Sequence, residues 1–314
     1  MTTGSRHPDA LLAQIGDTPL VELTRLQPRP GVRLFAKLEG QNPTGSVKDR
    51  VALALVEDAE RRGRLRPGQT IVEASSGNTG ISLTMVARRK GYDVRIVLPR
   101  EIAPSIGDAL ALFGADCIWC PKCVGMDDAI RRAHELSEKH GWYPLGQFDQ
   151  PANVNAHYQG TGGELLAQLP QIDALVAGIG TGGTVMGVGR RLREANPDVK
   201  VIGVEPVLGD RLQGLRSLTS GFRPPLLDLD RLDGRILVNA ASAISAAKEL
   251  ATTEGICAGI SAGATLHAAR KVAQRMESGN IVLIFSDGGW KYLPARPWEA
   301  AHAGDKRLDD MHWW

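Results

Sequence analysis

Short runs of aliphatic and β-branched residues alternate along this chain with longer stretches whose apolar positions recur every three or four residues. The short runs fit strands, and the longer stretches present one apolar stripe when wound as helices. Their alternation marks an α/β fold, because parallel neighbours in a sheet need a crossover between them. The pattern predicts strands over residues 33–38, 70–74, 94–98, 116–120, 174–179, 201–204 and 281–285. It predicts helices over 49–62, 78–90, 108–113, 126–140, 161–168, 184–194, 242–254 and 262–276. Gly91 reads as the C-terminal stop of the second helix and Ser261 as the N-cap of the last. Proline and glycine interrupt the pattern at 144–151 and over 206–234. The first break is a candidate domain crossing. The second exceeds an ordinary connector and is expected to have a job of its own.

A length of 314 residues suggests two domains or one large α/β unit. Lys+Arg minus Asp+Glu is 37 − 35 = +2, so charge gives no argument for nucleic acid or a membrane surface. Aromatic residues at 5% make base stacking a poor idea as well. The 36 glycines exceed the usual share of roughly 7%, which points to places where backbone must approach backbone or ligand closely. There is no apolar run of about 18 residues, and the start lacks a signal peptide's layout, so the expected location is cytoplasmic. Cysteines stand at 117, 120, 123 and 257. Cys117-x-x-Cys120-x-x-Cys123 invites a metal site, but residues 117 and 120 on one strand would face opposite sides. No metal is expected, and in a cytoplasmic chain no disulfide either. The ending Met311-His312-Trp313-Trp314 reads equally as a docked tail or a free one.

Four turns stand out, each rich in Gly, Ser or Thr and each at a predicted helix start. Asn42-Pro43-Thr44-Gly45-Ser46-Val47-Lys48-Asp49-Arg50 puts Lys48 near a helix N-terminus, where a cation opposes the macrodipole. It is either a solvated lysine or one tuned for Schiff-base chemistry. Ser75-Ser76-Gly77-Asn78-Thr79-Gly80 offers hydroxyls and open amides, a ready anion site or a generous cap. Gly178-Ile179-Gly180-Thr181-Gly182-Gly183-Thr184 fits two patterns. One is a dinucleotide fingerprint with Glu205 as the ribose acid; the other is a simple phosphate cup. Gly259-Ile260-Ser261-Ala262-Gly263 repeats the theme. In an open parallel sheet such turns gather at the carboxyl ends of the strands, where ligands bind.

Taken in order, these four segments resemble the motifs of the cysteine synthase family of fold-type II pyridoxal-phosphate enzymes, over about residues 15–293. The resemblance implies two open α/β domains with mostly parallel sheets and an active site in the cleft between them. The smaller domain would be inserted over 41–146; residues 1–40 plus 147–294 would form the larger, cofactor-binding one, with 295–314 as a tail. It implies pyridoxal 5′-phosphate held by Lys48 as a Schiff base, with Asn78 at the 3′-oxygen. Gly180, Thr181, Gly182, Gly183 and Thr184 would hold the phosphate, and Ser261 the pyridine nitrogen. Ser75, Ser76, Thr79 and Gln147 would receive the substrate carboxylate, although the family usually has threonine where this chain has Ser75.

Asp287-Gly288-Gly289-Trp290-Lys291-Tyr292 and Arg216 look more like the cysteine synthase B type, which includes O-phosphoserine users. The implied reaction is β-replacement. An O-activated L-serine, O-phosphoserine or O-acetylserine, would lose its β-substituent through an α-aminoacrylate and receive sulfur to give L-cysteine. Sulfide, thiosulfate or a carrier-protein thiocarboxylate would supply the sulfur, and a homodimer would be the assembly. The same motifs would serve cystathionine β-synthase or serine/threonine dehydratase activity. A nicotinamide-dependent dehydrogenase leaves Lys48 unexplained, and a non-catalytic module leaves the cofactor set unexplained.

Overall fold

The computed structural model describes residues 9–99, 104–123, 125–210, 212–218 and 223–299. In chain order the strands are β1 (Leu20–Glu22), β2 (Val32–Leu38), β3 (Thr70–Ala74), β4 (Asp93–Pro99), β5 (Asp116–Cys120), β6 (Tyr143–Pro144), β7 (Ala174–Gly178), β8 (Lys200–Pro206), β9 (Gly234–Val238) and β10 (Gly279–Phe285). The α-helices are α1 (Lys48–Arg61), α2 (Asn78–Arg89), α3 (Pro104–Phe113), α4 (Met126–His140), α5 (Pro151–Ala156), α6 (Gly162–Gln168), α7 (Gly183–Ala195), α8 (Ala240–Glu249) and α9 (Ile260–Ala273). One π-helical turn, His157–Thr161, joins α5 to α6, and another, Leu250–Glu254, extends α8.

The described chain forms two compact units, one of residues 9–17 and 42–147, the other of residues 18–41 and 148–299. The first holds a wholly parallel four-stranded sheet in the order β5-β4-β3-β6. Its central strand β3 is buried from Ile71 to Ala74, including Glu73. That carboxylate is satisfied: it accepts the Gly146 N–H at 2.8 Å and the Gln147 amide at 3.3 Å. The second unit holds a six-stranded sheet in the order β1-β2-β10-β7-β8-β9, parallel except for the antiparallel β1–β2 pair. Alternate residues of β10 feed opposite faces, as a period of two requires. Ile281, Leu283 and Phe285 pack with Leu34, Val176 and the buried side of α9. Val282 and Ile284 pack with Phe35, Leu175, Ala177 and α7. Burial on both faces explains why these strands read as unbroken apolar runs. The fully buried Lys37 of β2 is paired too, 2.6 Å from the Glu164 carboxylate and donating to Thr18 O at 2.6 Å.

Every predicted strand is present, and the helices fall close to their predicted spans. Three short strands and α5 escaped the pattern. β1, β6 and β9 stand at sheet edges, where half-exposed positions such as Leu237 blur the apolar signal. β9 begins where the 206–234 break ends. Ser261 is not an N-cap: Gly259 occupies that position, and Ser261 lies in the first turn of α9. The expectation of no disulfide is overturned by a Cys120–Cys123 bridge with Cα atoms 5.3 Å apart. Cys123 lies beyond the end of β5, and its N–H donates to Cys120 O at 2.9 Å, so a tight turn brings it back to its partner. Strand alternation governs Cys117 and Cys120 but not that turn. The tail ending in Trp313-Trp314 lies outside the described residues.

Candidate active site

Lys48 is the first residue of α1. The turn ahead of it is held by Asp49, whose carboxylate accepts the Thr44 N–H at 2.7 Å and the Thr44 hydroxyl. The Ser46 hydroxyl oxygen also accepts the Lys48 N–H at 3.3 Å. A buried acid in the first helical turn suits the dipole and offsets the lysine beside it. α1 packs along α2, whose first residue is Asn78. The loop between β3 and α2 is closed by Ser75, which accepts the Gly80 N–H at 2.9 Å and the Gly77 N–H at 3.3 Å. The Ser75 hydroxyl therefore shapes the loop, while Ser76 is only half-buried. Thr79 donates to the Gln147 amide oxygen at 2.7 Å, and the Gln147 nitrogen donates to Ala74 O at 3.2 Å. Ser75, Thr79 and Gln147 are thus gathered in one unit, whereas the domain bounds expected from the resemblance would have put Gln147 in the other.

In the other unit, the Gly180–Thr184 segment joins β7 to α7. Gly182 sits at φ +86°, a left-handed conformation that glycine adopts without strain. A β-carbon on Gly180 would lie 2.6 Å from Gly214 O, and one on Gly183 only 1.9 Å from Asn153 Oδ1. No side chain larger than hydrogen fits at either place. The Met186 N–H bonds back to Gly182 O, so the amides ahead of it form the open end of α7. Two residues missed in the sequence aim the hydroxyls of this turn. Asn153 of α5 donates to Thr181 Oγ1 at 3.0 Å, and His157 Nε2 lies 3.2 Å from Thr184 Oγ1, with its Nδ1 3.1 Å from Thr161 Oγ1. Both are fully buried. The available signal was their spacing of four, two polar residues on one face of a helical turn.

The loop after β8 returns to the same turn. The Arg216 N–H donates to Ile179 O at 2.8 Å, and the Arg216 guanidinium lies over the Phe148 ring, 5.1 Å from its centroid. Beside it, the buried Gln213 amide has no hydrogen-bond partner for either its nitrogen or its oxygen among the described residues. Such an amide costs free energy unless a ligand satisfies it. Glu205 does not offer a ribose acid: it is buried, accepting the Leu218 N–H at 2.8 Å and Arg235 at 2.8 Å. The dinucleotide pattern fails there, and the phosphate cup remains. Ser261 is buried in the first turn of α9. Gly259 ahead of it donates to Asp287 O at 3.1 Å, and Asp287 accepts the Tyr292 hydroxyl at 2.9 Å. Burial first, then the Asp287 charge and hydrogen bond, push the Tyr292 pKa well above its ordinary value, so it stays a donor.

These features define an α/β protein with a lysine at one helix start and turns rich in open amides and hydroxyls at others. The family model described as pyridoxal-phosphate dependent enzyme matches residues 11–287. The chain is 40% identical over 295 residues to a cysteine synthase of Staphylococcus aureus, covering 91% of this chain and 95% of that protein. It is 39% identical over 280 residues to cysteine synthase B of Salmonella typhimurium, covering 89% and 92%. The crystal structure of an O-ureido-L-serine synthase superposes with a TM-score of 0.88 at 37% identity, covering 94% of this chain and 96% of that one. The chain belongs to the pyridoxal-phosphate dependent enzymes and, among them, to the cysteine synthase family. The cofactor fits the residues present: Gly180 and Gly183 leave no room for a β-carbon and keep the turn's backbone bare, and the Thr181 and Thr184 hydroxyls with the helix-start amides are the donors a phosphate takes.

Proposed function

We propose that this protein makes L-cysteine from an O-activated L-serine and a sulfur donor, with pyridoxal 5′-phosphate as cofactor. The observation that carries this reading is the Gly180–Thr184 cradle, braced by Asn153 and His157, in a chain of this family. When bound, the cofactor supplies an electron-withdrawing ring that stabilises negative charge at the substrate Cα. Lys48 would hold it through Nζ, the cradle its phosphate, Asn78 its 3′-oxygen and Ser261 its ring nitrogen. A serine hydroxyl carries no charge, so it cannot keep that nitrogen protonated as a carboxylate would. The weaker electron withdrawal favours loss of a β-substituent over transamination.

Lys48 Nζ would also take the Cα proton as general base. The Ser76 hydroxyl and the open amides of α2 bind the substrate carboxylate, while Thr79 and Gln147 complete that pocket and Ser75 holds its loop. Anchoring the carboxylate fixes which Cα bond is aligned for cleavage. Arg216 binds the leaving group, which favours O-phosphoserine over O-acetylserine as the donor. Sulfide, thiosulfate or a carrier thiocarboxylate completes the replacement, and the working assembly is a homodimer. The test is direct. Either donor alone should change the visible spectrum of the cofactor-loaded protein, sulfide should restore it, and cysteine should accumulate. Pyruvate as the main product, with no response to sulfide, overturns this reading in favour of a dehydratase.

A further inference from the structure

The Cys120–Cys123 pair takes no part in the chemistry above. It sits at the C-terminal end of the edge strand β5, in the segment Cys120-Pro121-Lys122-Cys123 that leads to α4. We propose that this pair is a reversible dithiol/disulfide site that exchanges electrons with an external dithiol. Three observations support this reading over that of a structural staple. First, the bridge spans a sequence separation of three, and so short a ring removes the least conformational freedom from the unfolded chain. Second, the two cysteines are unequally exposed. Cys123 is 3% exposed within the cluster of Val72, Ala74, Val97 and Leu136, whereas Cys120 is half-buried at the edge of that cluster, between exposed Trp119 and exposed Pro121 and Lys122. Third, a two-residue spacing between a strand end and a helix start is the layout in which paired cysteines act as redox groups.

Unequal access sets the order of events. A donor thiolate attacks Cys120 Sγ, the Sγ–Sγ bond breaks, and its electron pair leaves on Cys123 Sγ, which then takes up a proton. The donor's second thiol attacks the mixed disulfide and departs as a donor disulfide, releasing Cys120 as a thiol. Two electrons pass from the donor dithiol to the pair. In the oxidised form the bridge ties the end of β5 to a residue of the same apolar cluster as Ala74, which directly precedes Ser75.

The whole protein, native and undenatured, is equilibrated in glutathione buffers of graded oxidised-to-reduced ratio, quenched, alkylated and weighed by peptide mass. Cys120 and Cys123 should gain label together and reversibly, at an intermediate ratio, while labelling of Cys117 and Cys257 does not follow the same curve. Labelling of both cysteines at every ratio overturns the proposal. So does a bridge that survives excess dithiothreitol until the protein is unfolded. A second measurement checks the order of attack: Cys123→Ser protein should form a mixed disulfide with oxidised glutathione about tenfold faster than Cys120→Ser protein. Equal or reversed rates overturn the assignment of Cys120 as the attacked sulfur.

Discussion

Asn153 and His157 show what one buried polar atom can settle. Each reaches a threonine hydroxyl of the Gly180–Thr184 turn, and neither is exposed to water. Removing either leaves a buried or half-buried hydroxyl unaimed, at a cost of up to about 1–3 kcal/mol. Asn153→Ala and His157→Phe should therefore lose bound cofactor on dialysis faster than the parent, with cofactor absorbance as the measurement, while His157→Gln keeps part of the retention. Retention unchanged in both would leave the turn self-sufficient. Lys48 gives a second residue-level expectation. Borohydride should fix the cofactor on the peptide that contains Lys48, and Lys48→Ala protein should trap none; trapping elsewhere would move the Schiff base to another lysine. At this scale the sequence was legible where chemistry is local. Lys48, Asn78 and the glycines of the turn stand in short contiguous motifs. Asn153 and His157 lie about thirty residues from the hydroxyls they aim, so only the fold reveals them. The resemblance makes the Ser75 hydroxyl a substrate ligand, but here its oxygen accepts the Gly77 and Gly80 N–H groups of its own loop.

Among the elements, apolar strands buried on two faces announced themselves, and edge elements did not. β1 is three residues long beside Pro19, and β9 exposes every second residue, so neither presents a strong run. The junction of β8, α7 and the approach to β9 is held by charge as well as by packing. Asp233 accepts the Val201 N–H at 2.8 Å and pairs with Arg193. Burial works to raise its pKa, but the Val201 N–H and the Arg193 guanidinium outweigh burial and hold it below the ordinary value. With the folded pKa below the unfolded one, the carboxylate stabilises fully above about pH 4 and loses its contribution as pH falls through the folded value. Asp233→Asn should thus cost stability at pH 7, at most about 1 kcal/mol for a part-exposed pair, and the gap should narrow as pH falls below about 4. Urea midpoints for both proteins across that range are the measurement; a gap independent of pH would assign the effect to packing.

At the scale of the whole molecule the question is which activated serine the enzyme prefers, and this turns on Arg216. A lone loop arginine is most often solvated. Here it is half-buried, its backbone tied to Ile179 directly ahead of the Gly180 turn and its guanidinium laid over Phe148. A cation set on an aromatic face is held in one orientation, which lowers the entropy lost when it grips a ligand. O-phosphoserine brings close to two negative charges at the leaving group, and a guanidinium is the side chain best shaped to fork onto them. O-acetylserine brings a neutral ester and gains little. The same charge would offset negative charge building on the departing phosphate, so the effect should reach turnover and not binding alone. Initial rates with either donor should follow ping-pong kinetics, because the β-substituent leaves before sulfur arrives. Arg216→Ala should lower kcat/KM for O-phosphoserine about 10–100-fold, or ~1.4–2.7 kcal/mol, and change O-acetylserine turnover much less. Equal losses for both donors would make Arg216 a residue of loop structure. Failure of the parent protein to turn over O-phosphoserine would end the assignment, leaving O-acetylserine as the donor.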